Sequence, residues 1–169
     1  QMTGYTKLSQ LVLYRETITS LDSPGVATAK TGRGMSYDEL GRMETLDEVT
    51  KTIGTDKDGQ KIEYTETLVR TAGERDAIHR GWSTGYKEMR QKVASRTTEG
   101  IAQPQLVLDS YETSTVQYLF DEKGKITGQI EVLRAKADED GDGSLDIDHI
   151  VETKRTGMVY ASGRVVSYK

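Results

Sequence analysis

One short phrase returns about every forty residues along the chain, and this repetition constrains the fold more than any other feature. Two of its copies are Met2-Thr3-Gly4-Tyr5 and Ser83-Thr84-Gly85-Tyr86, and the five copies lie 41, 40, 43 and 39 residues apart. Such even spacing is typical of a tandem array, in which each unit buries its apolar side only against its neighbours. The predicted repeats are approximately 2–42, 43–82, 83–125 and 126–164, with 165–169 starting the next.

Each repeat has the composition of a β-hairpin. Two arms rich in Thr, Val, Ile and Tyr are separated by a variable distal loop, and a proximal turn closes the unit. The clearest strand signal is the polar and apolar alternation of Lys61–Leu68. In the first repeat, one arm is expected to run without interruption from Met2 to Thr19. The distal loops are expected at Leu21–Gly25, Gly54–Gly59, around Glu99 and Gly100, and at Asp138–Ser144.

The proximal turns place a glycine where a short hairpin needs a positive φ, at Gly41, Gly124 and Gly163. Eight arms in up-and-down order follow from this pattern. The predicted fold class is therefore all-β, with tandem hairpins of ~41 residues forming an antiparallel up-and-down sheet or spiral. Whether the sheet is open, spiral or closed into a shell stays undecided, because register and curvature depend on bulges.

A helical interpretation of the first arms competes with this prediction. Tyr86, Met89 and Val93 have the three-and-four spacing of a helix face, and helical arms would give an α+β repeat. The fourth copy, Ile126–Val132, alternates instead, and the content of Thr and Gly opposes a helix. The strand interpretation is therefore preferred.

Composition excludes several function classes. The net charge is −4 with acidic and basic residues interspersed, so no basic stripe tracks phosphates and a nucleic-acid partner is not expected. No apolar run approaches the length of a membrane span. Cysteine is absent, which removes thiolate chemistry, and asparagine is absent too. The absence of these two thermolabile side chains, and of N-glycosylation sites, favours a hot or long-lived extracellular setting, and the predicted localisation is extracellular or at the cell surface.

The turn phrase resembles a known repeat. Tyr37–Met43 reads Tyr-Asp-Glu-Leu-Gly-Arg-Met, and Phe120–Ile126 repeats its pattern with Phe in place of Tyr. It is similar to the tyrosine-aspartate (YD) repeats of bacterial Rhs proteins and animal teneurins, and to long bacterial surface proteins built from such hairpins. The resemblance implies antiparallel hairpins joined edge to edge, coiled into a hollow shell in the Rhs family and serving elsewhere as an extended scaffold.

An acidic segment in the fourth repeat matches the start of a calcium loop. Its carboxylates occupy positions one, three and five of the D-x-D-x-D-G pattern, and Gly143 allows the sharp turn. Position twelve, however, is His149 and not the bidentate Glu of an EF-hand. The alternative is a solvated acidic turn without an ion. The candidate calcium ligands are Asp138, Asp140, Asp142, Ser144 through its carbonyl, Asp146 and Asp148.

The sequence favours a structural role over an enzymatic one. His79 and His149 are the two histidines, and no spacing points to a catalytic triad. We expect a non-enzymatic segment of an extracellular scaffold, surface fibre or adhesin stalk that continues into further repeats or self-associates through strand edges. The alternative is a β-repeat module that presents its distal loops to a carbohydrate or a surface receptor, which clustered exposed aromatic side chains on one face would support.

Overall fold

The computed structural model describes residues 2–5, 7, 10–19, 25–55, 58–76, 82–101, 103–161 and 164–169, and within these ranges every regular element is a β-strand. None of the described residues belongs to a helix that could cross a membrane. The strands are β1 (Met2–Tyr5), β2 (Leu11–Thr19), β3 (Ala27–Tyr37), β4 (Met43–Thr55), β5 (Lys61–Ala72), β6 (Arg75–Asp76), β7 (Trp82–Ser83), β8 (Gly85–Thr97), β9 (Gln105–Phe120), β10 (Ile126–Asp138), β11 (Ile147–Thr156), β12 (Val159–Ala161) and β13 (Arg164–Ser167).

Nine of these strands form one open sheet in the order β1-β2-β3-β4-β5-β8-β9-β10-β11. Every neighbouring pair is antiparallel. The remaining strands make two small hairpins, β6 with β7 and β12 with β13. The prediction of an all-β, up-and-down antiparallel sheet is confirmed. The helical interpretation is wrong, because Tyr86, Met89 and Val93 all lie in β8.

The sheet is a single layer with very little core. Among the described residues, the buried apolar side chains are Ala94, Val116 and Ala137. The accessible surface is 11654 Å² for a chain of 18.8 kDa. A compact monomer of that mass would expose about 8,300 Å². The excess indicates that the described part of the chain places no second layer on either face of the sheet.

Ion pairs between side chains lie on both faces of the sheet, where a second layer would otherwise pack. We call the front face the side to which the even-numbered residues of β5 and β8 point, and the back face the other side. On the front face Lys30 pairs with Glu48 at 3.0 Å, Arg90 with Glu66 at 3.3 Å and Arg155 with Glu131 at 3.3 Å. Pairs between adjacent strands stabilise a sheet by small increments, so the layer is held mainly by its backbone ladder and these surface contacts.

A glycine in β3 leaves room for a further contact, between a tyrosine of β2 and a glutamate of β4. Tyr14 lies directly opposite Gly32, and its ring crosses the space that a side chain at Gly32 would occupy. The Tyr14 hydroxyl thereby reaches past β3 and donates a hydrogen bond to Glu48 in β4. Burial, followed by the neighbouring Glu48 carboxylate, raises the pKa of Tyr14. One aromatic side chain thus connects three consecutive strands.

Two details differ from the predicted hairpin pattern. The first arm does not run continuously from Met2 to Thr19, because β1 is antiparallel to β2 and the chain reverses between Tyr5 and Leu11. The second and third repeats are joined through the small hairpin of β6 and β7, and Ser83, the first residue of the third repeat, lies in β7. The predicted features at 21–24, His79 and Gly163 lie outside the described residues.

Candidate functional site

The phrase that resembles the YD motif forms a tight turn between β3 and β4. The Asp38 amide donates to the Arg42 carbonyl and the Gly41 amide to the Asp38 carbonyl, both at 2.9 Å. One Asp38 carboxylate oxygen accepts from the amides of Leu40 at 3.0 Å and Arg42 at 2.8 Å. Gly41 has φ +78°, as the turn requires. The Tyr37 hydroxyl donates to the Leu11 carbonyl at 2.8 Å, which ties this turn to β2.

The turn between β9 and β10 repeats this geometry. The Asp121 amide donates to the Lys125 carbonyl and the Gly124 amide to the Asp121 carbonyl, again at 2.9 Å. The Asp121 carboxylate accepts from the amides of Lys123 at 2.9 Å and Lys125 at 2.8 Å, and Gly124 has φ +76°. The backbone amide of Lys125 is the strongest influence holding the pKa of Asp121 below its ordinary value, and the Arg42 amide does the same for Asp38. The motif therefore stabilises a hairpin turn.

Replacing Asp121 with alanine is expected to destabilise the protein, whereas Asp121→Asn keeps a side-chain oxygen for the two amides and costs less. Because the folded-state pKa is lowered, the carboxylate stabilises the turn above about pH 4 and that contribution is lost as pH falls through the folded pKa. Urea unfolding of both variants between pH 3 and pH 7 measures this. If the wild type and Asp121→Asn lose stability equally on acidification, the carboxylate is not the group responsible.

The acidic segment of the fourth repeat folds around Asp138, the last residue of β10. Asp138 is 6% exposed, and its two carboxylate oxygens accept from the amides of Gly141 at 2.6 Å and Gly143 at 2.8 Å. Burial is the largest single influence and raises the pKa of Asp138, but the Gly143 and Gly141 amides, with further amides of the loop, outweigh it and lower the pKa. The loop thus holds a charged carboxylate at its centre.

Three of the predicted ligands come together in this loop. Carboxylate oxygens of Asp138, Asp140 and Asp146 all lie within 4.8 Å of one another, close enough to share one cation. The Asp142 carboxylate lies outside this cluster and accepts a hydrogen bond from the Ser144 amide at 2.7 Å. Asp148 lies on β11 and pairs with Lys136 at 3.2 Å. The loop therefore presents a compact set of three carboxylates and two further candidates that face other partners.

The outer edge of β11 is a second candidate site. Its last residue, Thr156, exchanges two backbone hydrogen bonds of 2.9 Å with Lys169, so the chain starts to pair along this edge. Beside this contact, the Arg155 guanidinium lies 5.6 Å from the centre of the Tyr168 ring. Arg70 and Tyr86 make the same contact at 5.0 Å where β8 pairs with β5. Residues 168–169 thus repeat the way in which β8 joins the sheet.

The rest of that edge carries no strand among the described residues. Backbone groups alternate in direction along a strand, so the amides of Asp148, Ile150, Glu152 and Lys154 face outward as that of Thr156 does. The Ile150 side chain is 62% exposed. The sequence repeat did not predict this edge, because every repeat has the same arms and nothing in the pattern marks the one with an unpaired side.

An enzymatic function would need a histidine beside carboxylates, and a carbohydrate-binding function would need exposed aromatic side chains. His149 lines a front-face hollow of ≈ 210 Å³ with Glu112 and Glu139, but no hydrogen bond joins His149 to either carboxylate. Tyr64 donates within the sheet to Glu66 at 3.4 Å, and Tyr86 stacks beneath Arg70. These side chains stabilise the strands that carry them.

Comparison of the chain with protein-family models, with curated proteins and with solved structures found no match in any of the three. The resemblance to YD repeats stays a prediction from the turn phrase.

Proposed function

We propose that this chain is a non-enzymatic structural segment of an extracellular scaffold, a surface fibre or an adhesin stalk, which self-associates through the edges of its sheet. The observation that carries the proposal is the open, single-layer architecture. Nine antiparallel strands lie side by side, and the accessible surface exceeds that of a compact protein of equal mass by about 3,300 Å². A sheet of this kind gains stability by adding strands at its edges.

The chemistry of the edges supports this function. An unpaired strand presents a row of amides and carbonyls that another strand satisfies directly. On β11 this row is flanked by exposed apolar side chains, Ile150 and Val151. Proteins that stay monomeric protect such an edge with proline or with charged side chains, and β11 carries the charged Glu152 and Lys154 beside these apolar residues. No proline lies in β11.

Sedimentation velocity across a wide range of protein concentration, followed by electron microscopy of the same samples, tests this proposal. We expect the sedimentation coefficient to rise with concentration and the microscope to show elongated particles one sheet wide. A single monomeric species at every concentration, seen as discrete small particles, would contradict the scaffold function.

We further propose that the loop from Asp138 to Asp146 binds calcium as a structural element of this scaffold. The support is the cluster formed by Asp138, Asp140 and Asp146, together with the oxygen-rich chemistry that calcium prefers. The loop joins β10 to β11, so an ion there would fix the start of the strand that carries the open edge. Binding in the range of extracellular modules, a dissociation constant of about 10⁻⁴–10⁻³ M, suits a site with three clustered carboxylates.

Calcium at ten times its dissociation constant is expected to raise the free energy of unfolding by about 1.4 kcal/mol. Asp140→Asn should abolish most of this gain, because it removes one charge from the cluster. Asp58→Asn, the same change in the distal loop of the second repeat, is the matched control and should keep the gain. Calorimetric titration and thermal unfolding with and without chelator measure both. Equal loss in the two variants would show that the effect is general charge screening.

A further inference from the structure

The direction of the strands determines how two copies of this sheet can join. Strands alternate in direction, and β2 to β11 make a run of eight, so β2 and β11 point in opposite directions. A second copy moved along the sheet would therefore place its β2 antiparallel to β11. If β1 stays attached, the run has nine strands, and β1 would meet β11 in parallel. That joint would be a parallel pair in an otherwise antiparallel sheet, with the less favourable ladder.

β1 occupies the edge that such a joint needs. It pairs with β2 from Met2 opposite Arg15 to Tyr5 opposite Leu11, and no described residue pairs with the outer side of Glu16–Thr19. The equivalent phrase at Gly85 and Tyr86 does not fold back and instead continues into β8, where β5 lies beside it. β1 is only four residues long and Tyr5 is 59% exposed. Short edge strands of this kind block edge-to-edge pairing.

We propose that β1 is a removable cap on the sheet, and that copies join end to end when β1 leaves β2 and β2 pairs antiparallel with β11 of a second copy. This inference rests on the proposed function and names its joint. The occupant of the β11 edge is thus a second copy of this chain, and the assembling unit is eight strands wide. Among the described residues, Lys169 pairs with Thr156, and no strand lies along Asp148–Lys154 on the outer side of β11.

Charge selects the register of this joint. The Thr156 amide points out of the sheet, and the alternation carried from it through each paired strand makes the odd-numbered amides of β2 face outward. Arg15 can then lie opposite Glu152, on the back face, as an opposite-charge pair. Sliding the strands by two residues puts Arg15 opposite Lys154, a like charge, in one direction and opposite the apolar Ile150 in the other, so either slide loses the opposite-charge pair. In the favoured register Thr17 lies opposite the exposed Ile150.

A disulfide that locks β1 to β2 tests the cap. Gly4 lies directly opposite Leu13, and a Cβ built at Gly4 lies 3.2 Å from the Leu13 Cβ, close to disulfide geometry. The chain has no cysteine of its own, so Gly4→Cys with Leu13→Cys creates a single thiol pair. Light scattering should show assembly of the reduced protein and a monomer after oxidation. A second variant, Gly4→Pro, should loosen β1 and lower the concentration needed for assembly about tenfold, the effect of one or two net hydrogen bonds.

Two results would contradict the proposal that β1 is a removable cap, and they differ in what they mean for the scaffold function. If the oxidised and reduced proteins assemble equally, β1 is not a cap, while the scaffold function stands. If the wild type, the reduced protein and Gly4→Pro all stay monomeric at every concentration, the cap and the scaffold function both fail. Charge reversal tests the joint in the same assay: Arg15→Glu and Glu152→Arg should each weaken assembly, and the double variant should restore it. Failure of the double variant to recover would contradict the β2–β11 register.

Discussion

Replacing Gly85 with alanine is expected to lower the free energy of unfolding by about 2–4 kcal/mol, the largest effect of any single methyl group added to this sheet. A Cβ at Gly85 would overlap the Val116 carbonyl, lying 2.8 Å from its carbon, and the φ of +155° is unfavourable for an L side chain. The backbone of Val116 and Gln117 cannot move aside, because Gly85 lies opposite Gln117 in the ladder between β8 and β9. The strands must separate at the centre of the sheet.

Gly100→Ala is the control for this prediction. Gly100 also has a positive φ, +83°, but a Cβ there would meet no atom within 4 Å. The control therefore carries the conformational cost alone, about 1 kcal/mol. Urea unfolding of the two variants separates backbone collision from backbone strain. If they lose the same stability, β8 and β9 are not as closely paired as the structure has them.

Placing proline at Ile150 is expected to stop assembly while leaving the monomer folded. The Ile150 amide faces away from β10, so proline removes a donor from the open edge of β11 and none from the ladder. At the joint the proline costs one hydrogen bond and adds a steric conflict, which we expect to weaken association at least about tenfold. Sedimentation velocity measures the association, and circular dichroism confirms the fold.

Val151→Pro is the matched control for Ile150→Pro. The Val151 amide faces β10, opposite Leu133, so proline there breaks the ladder and destabilises the monomer itself. The contrast between adjacent positions tests which side of β11 is open. Should Ile150→Pro assemble as readily as the wild type, the outer edge of β11 does not take part in self-association.

Local chemistry made part of this structure predictable. The Tyr37–Met43 phrase predicted a turn with a positive φ at Gly41, and an Asp followed by Gly three residues later determines that geometry without help from the rest of the chain. The alternation in Lys61–Leu68 predicted β5, because residues of a strand face opposite sides in turn. The calcium-loop spacing placed Asp138 and Asp140 in one cluster, but Asp146 joins them where the spacing had favoured Asp142.

Features that depend on neighbours were not predictable from the repeats. Thr3-Gly4-Tyr5 and Thr84-Gly85-Tyr86 are identical in sequence, yet one folds back as β1 and the other enters β8. The difference is the strand beside them: β5 pairs with β8, whereas the corresponding side of β2 is free and takes up β1. Unpaired backbone groups drive both outcomes, and the sequence of the phrase does not contain that information.

Electron cryomicroscopy of assembled protein tests the central claim most directly, because it measures the axial repeat of the fibre. Eight strands spaced about 4.8 Å apart predict an axial repeat of about 38 Å, with the strands perpendicular to the fibre axis. A repeat of about 43 Å would mean that β1 remains between the copies. Discrete particles without an axial repeat would contradict the account of this chain as a self-extending sheet.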